Sequence, residues 1–139
     1  MSPSLPYILS PTGREGVRLF NEQAYYRCHD AFEAVWIKTA GAERHYYQGL
    51  IQIAVAFYKI REEKNWRGAT SLLTTGIGHL KCVDPGDVEL NIERLVQESQ
   101  AILEVLNAIG AERISEISSS MLPKLHYLPE AESEPWKAE

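Results

Sequence analysis

The chain has 139 residues, 45% of them hydrophobic, which is enough for one core and too little for two. Fourteen Lys and Arg against 19 Asp and Glu leave a formal net charge of −5. That balance lacks the basic footprint phosphate contacts require, so neither a nucleic-acid nor an anionic-membrane partner is expected. The opening "MSPSLPYILSP" has no cationic segment followed by an apolar one, and so does not read as a secretory signal.

The longest apolar run, "GLIQIAVAFY", is about half of what a membrane-spanning helix needs. Cys28 and Cys82 are far apart and lack CxxC spacing, which fits reduced thiols acting as small buried hydrophobes. The expectation is a soluble, cytoplasmic protein.

In chain order, Thr12 and Glu15 have capping-box spacing and predict a first helix of about ten residues. Asn21 is placed to cap a second, from about Gln23 to Lys38, with Tyr25, Cys28, Phe32 and Trp36 on its buried stripe. Gly41 marks a turn into a third, from about Ala42 to Lys64, whose mid-helix Gly49 implies close approach by another helix. Asn65 caps a fourth, along which Ala69, Leu73, Gly76, Ile77 and Leu80 recur at helical spacing.

"DPGD" is the clearest break, offering Asp84 or Asp87 as a cap for a long fifth helix that ends at Gly110. A short helical turn in "AERISEISSS", an extended "MLPKLHYLP" and a solvated tail follow. No stretch alternates as a strand would. The fold class expected is all-α, a bundle of about five helices over residues 12–119, with an N-terminal extension at 1–11 and an extended, mobile tail at 120–139.

The chemistry concentrates in "YYRCHDAFEAVW". His29 and Glu33 are four residues apart on one helix, a spacing that suits two metal ligands or a structural hydrogen-bond pair. Asp30 is turned about 100° away from His29. A zincin-type site needs a second histidine where Glu33 stands, and no repeated Glu-x-x-His of a di-iron bundle is present. No metal or other cofactor is therefore expected; if a metal were held, His29 and Glu33 would be its candidate ligands, with Asp30, His45 or His79 as sources of further ones.

Arg44, Gln48 and Gln52 recur every four residues along the third helix. A short turn at Gly41 would lay this ridge beside Asp30 or Glu33, giving a polar seam between helices 2 and 3. The structural reading makes the seam a buried network. The catalytic reading opens it as a cleft, with His29 or Glu33 as general base and Arg44 holding an anionic group.

The strings "LFNEQAYYRCHDAFEAVW", "RHYYQGLIQIAVAFYK" and "NWRGATSLL" resemble the family known as domain of unknown function 309. The resemblance runs from about residue 19 to 80 and rests on Phe20, Asn21, Tyr25, His29, Glu33 and Trp36, on Arg44 and the run at 48–52, and on Asn65, Gly68 and Ala69. Asp30 stands where the family usually has glutamate, and Gln23 near a position often taken by glycine. The resemblance implies a small all-helical bundle and brings no reaction with it. It singles out His29, Glu33, Arg44, Gln48 and Gln52.

Two functional expectations follow. One is a non-catalytic module that binds an unidentified protein or small ligand and has a self-associating apolar face, hence a homo-oligomer. The other is a hydrolase-like enzyme that activates water or a metal with His29 and Glu33.

Overall fold

A computed structural model describes residues 7–129. Among them, five α-helices run as α1 (Pro11–Asn21), α2 (Tyr25–Trp36), α3 (Ala42–Tyr58), α4 (Trp66–Leu80) and α5 (Ile92–Ile109). Each packs on the next in the chain, and α3 against α4 is the largest of these interfaces. The described residues contain no strand, only the isolated bridges Tyr7–Val88 and Leu90–Tyr127. No described helix is long and apolar enough to cross a membrane.

Local chemistry explains most boundaries. α1 starts two residues earlier than its expected capping box: the Ser10 hydroxyl accepts the Gly13 amide, and Pro11 occupies the first helical position, where its missing N–H is not needed. Glu15 pairs with Arg18 instead of closing a box with Thr12. Asn65 and Asn91 cap α4 and α5 through the Gly68 and Arg94 amides. Asp84 serves only the short 3-10 turn Pro85–Asp87, accepting from Gly86. α3 runs directly into a π-helical turn, Lys59–Glu63, that ends at a left-handed Lys64.

Asn21 does not cap α2. Its side chain grips Leu125 from both sides, the amide nitrogen donating to the carbonyl at 3.0 Å and the amide oxygen accepting from the backbone N–H at 2.7 Å. α2 begins without a side-chain cap after Gln23, whose φ of 64° lies in the region glycine enters most cheaply.

The core is one cluster. Phe20, Tyr25 and Phe57 meet edge-on with ring centroids 5.5–5.9 Å apart, joining α1, α2 and α3. Gly49 and Gly76 face each other across α3 and α4. A Cβ on Gly49 would lie 2.7 Å from Leu80 Cδ2 and 3.0 Å from the Gly76 carbonyl oxygen, so the close approach expected of Gly49 is present. Cys28 is fully buried, but Cys82 is exposed, because α4 ends at Leu80 and the turn carries the thiol outward.

The segments flanking the helices are not loose over their described parts. Leu122 and Leu125 are buried. The Asn91 amide donates to the His126 carbonyl at 2.8 Å, and the Leu128 amide to the Glu89 carbonyl at 2.7 Å. Of the expected tail, residues 122–129 are extended; their backbone finds partners in the α4–α5 connection, and Leu122 and Leu125 join the core. The rest of that tail, 130–139, lies outside the described residues. At the other end Leu9 is buried, and its amide donates to Glu89 Oε1 at 2.7 Å.

Candidate functional site

α2 buries Tyr25, Cys28 and Phe32. One residue on, hence about 100° around the helix, stand His29 and Glu33. That rotation puts the His29 side chain at 26% exposure and the Glu33 side chain at 51%. The His29 ring lies between two carboxylates on its own helix, Nδ1 at 3.2 Å from Asp30 Oδ1 and Nε2 at 3.5 Å from Glu33 Oε2. The first is a long hydrogen bond, and the second is an electrostatic contact beyond good hydrogen-bond length.

The cross-helix seam is not formed as expected. Arg44, in the first turn of α3, places its guanidinium 4.1 Å over the Trp36 ring and donates to the Thr39 carbonyl at 3.0 Å. It therefore closes the C-terminal end of α2, where a cation is favoured, and does not reach Glu33. Gln52 belongs to a different interface: its Cβ is 3.2 Å from where a Cβ on Gly76 would stand, so it faces α4, and its buried Oε1 has no hydrogen-bond partner among the described residues. Gln48 is half-buried on the same helix. The structure gathers His29, Asp30 and Glu33, and disperses Arg44 and Gln52.

His29 has neighbours from its own helix, from α3 and from the turn that follows α3. A cavity of about 140 Å³ is lined by Tyr25, Tyr26, His29, Val55, Tyr58, Lys59 and Glu63. Tyr26 sits with its ring centroid 5.7 Å from that of Tyr58 and 5.9 Å from that of His29. The π-helical turn after Tyr58 supplies the polar rim, where Lys59 Nζ and Glu63 Oε1 are 2.8 Å apart. Burial pushes the Tyr25 hydroxyl far above its usual pKa, and that hydroxyl has no hydrogen-bond partner among the described residues. Burial likewise raises the Cys28 thiol, which makes it inert at neutral pH.

Larger depressions lie elsewhere among the described residues: about 310 Å³ between the end of α4 and α5, about 410 Å³ between α5 and the 120–126 segment, about 420 Å³ between the end of α1 and the 119–124 segment, and about 260 Å³ between the start of α1 and the end of α2. All are surface grooves of mixed lining, and none includes a residue of the anticipated site. Among the described residues, no group of three or more His, Cys, Asp or Glu side chains is arranged to share a metal ion.

Comparison with known proteins covers this region. The chain is 30% identical over 90 residues to "Uncharacterized protein YpuF" of Bacillus subtilis (strain 168), a match taking in 63% of this chain and 51% of that protein. The chain thus spans about half the length of the curated relative it matches. Residues 14–72, from α1 through the first half of α4, match the family model described as "Domain of unknown function (DUF309)". With the His29, Glu33 and Trp36 motif on α2, the 48–52 run on α3 and the Asn65 cap of α4 in place, residues 14–72 are a DUF309 domain.

Proposed function

We propose that this protein is a non-catalytic binding module whose ligand is a small molecule presenting one apolar, ring-sized group to the pocket between α2 and the end of α3. The observation that carries the reading is a half-open pocket of about 140 Å³ walled by tyrosine rings, Val55 and His29. An apolar cavity of roughly 150 Å³ accommodates benzene, so one six-membered ring fits. Tyr26 and Tyr58 supply faces for stacking, and His29, Lys59 and Glu63 supply the few polar groups that fix orientation.

Phenol and benzoate are suitable probes, followed by amide and aromatic NMR shifts. Shifts confined to the neighbourhood of Tyr26, His29 and Tyr58, and abolished by Val55→Phe, which fills the cavity, would support it. Shifts that scatter, or that survive Val55→Phe, would refute it.

A hydrolase-like alternative draws support from the His29 ring being held between Asp30 and Glu33, an arrangement that orients an imidazole for proton transfer. It predicts turnover of an activated ester, or stoichiometric zinc, iron or manganese by elemental analysis, lost on His29→Ala. Gly49 and Gly76 face each other within one chain, so this glycine contact is not what a self-associating face would be built on. Sedimentation velocity tests a homo-oligomer directly.

A further inference from the structure

The start of α3 and the end of α4 bring two histidines together. His45 precedes Gly49 by one turn, and His79 follows Gly76 by about one turn, so the tight glycine contact of these antiparallel helices sets the distance between them. Their Nδ1 atoms are 2.9 Å apart, with ring centroids at 5.1 Å and ring planes 32° from parallel. His45 is exposed and His79 half-buried, so an ion in solvent can reach the pair. The pair is remote from His29: Tyr58, which lines that pocket, is about 20 Å along α3 from His45 at 1.5 Å per residue.

The distance has a coordination meaning. Imidazole nitrogens bind divalent transition metals at about 2.0–2.1 Å, so two of them at right angles on one ion are about 2.9 Å apart, and at a tetrahedral angle about 3.3–3.4 Å. As found, the two Nδ1 atoms share a hydrogen bond, one ring donating its N–H to the other, and the same spacing is that of neighbouring corners of a square or octahedron. Cu2+ and Ni2+ adopt that geometry with nitrogen ligands and stand above Zn2+ or beside it in affinity for such sites. No third His, Cys, Asp or Glu is arranged with them among the described residues, so the remaining positions would be filled by water or by an added ligand.

We propose that His45 and His79 form a two-nitrogen chelate for a divalent ion of the Cu2+ and Ni2+ class, built on the α3–α4 glycine contact and separate from the His29 pocket. Nδ1 of each ring is the ligand atom: binding breaks the hydrogen bond between the rings, the ring that donated it carries its proton on Nε2 instead, and a modest rotation of both rings turns the two lone pairs toward an ion about 1.5 Å off the line between them.

The test is calorimetric titration of the untagged full chain with Ni2+. One site per chain is expected. Its affinity should fall by about tenfold or more in His45→Ala and in His79→Ala, since losing a ligand costs at least what losing an outer partner does. His29→Ala should leave it unchanged. Pulsed electron paramagnetic resonance of the wild-type chain with one equivalent of Cu2+ should count two coordinated imidazoles without requiring any variant to fold. Absence of Ni2+ binding, binding that survives both substitutions, or fewer than two imidazoles on Cu2+ would each overturn the proposal.

Discussion

Gly49→Ala adds one methyl group at the tightest point of the α3–α4 interface. The new carbon would stand 2.7 Å from both Cγ and Cδ2 of Leu80 and 3.0 Å from the Gly76 carbonyl oxygen. Comfortable carbon contacts begin near about 3.5 Å, so either the helices part by several tenths of an ångström or Leu80, itself 1% exposed, leaves its place in the core. Overpacking of this kind costs about 1–3 kcal/mol. Replacing a mid-helix glycine returns about 1 kcal/mol of helix propensity, leaving a net loss of up to about 2 kcal/mol. For a domain of this size that lowers the melting temperature by up to roughly 8 °C. Gly78 is the internal control: it lies on α4, and a Cβ there meets nothing within 4 Å, so Gly78→Ala keeps the propensity gain and should raise the melting temperature. Thermal melts followed by far-UV circular dichroism read both. A Gly49→Ala chain melting as high as Gly78→Ala would mean that α3 and α4 do not approach as described.

Glu33→Ala should change stability by no more than about 0.5 kcal/mol, because the carboxylate is half-exposed and its His29 contact is 3.5 Å long; a loss near 3 kcal/mol in a urea titration would restore the buried seam. Asn21→Ala removes both bonds to the Leu125 backbone and should cost about 2 kcal/mol, with faster amide exchange at Leu125 than at the α3 core. Burial, and then the neighbouring His45, lower the pKa of His79 from its usual 6.5. Below that value the unfolded chain takes up a proton the folded chain resists, so stability present above pH 6.5 is lost as pH falls through the lowered pKa. Melting temperature should fall across that window more steeply in wild type than in His79→Gln, and equal slopes would contradict the assignment.

The helices were legible because their signals are local. The Asn65 cap, the terminating Gly110 and the apolar stripes of α4 and α5 each depend on residues a turn apart. The misplaced cap of α1 has a local cause too: Ser10-Pro11 competes with Thr12 and Glu15, and proline at the first helical position decides it. The seam failed for a non-local reason. Spacing fixes the angle between two residues on one helix, but it does not fix how that helix is rotated against its neighbour. Part of the answer was nevertheless readable, since Glu33 follows Phe32 and must point about 100° away from a stripe centred near Cys28 and Phe32. What no local pattern announces is a contact such as Asn21 to Leu125, or the pocket that Tyr58 and Lys59 close over His29, because both join residues brought near only by the whole bundle.

α3 links these features and also separates them. Its first turn carries Arg44 against Trp36 and His45 against His79, its middle carries the glycine contact, and its last turn opens through the π-turn onto the tyrosine pocket. A perturbation in the middle therefore need not act equally on the two ends. Gly49→Ala pushes against Leu80, which directly follows His79, so it should spread the histidine pair. The pocket is built from α2, the last turn of α3 and the π-turn, none of which Leu80 touches through Gly49, so its probe shifts should persist in the same variant. If Ni2+ affinity and probe binding instead fell together, α3 would be transmitting the strain along its length as a rigid rod, and the two ends would have to be treated as one coupled site.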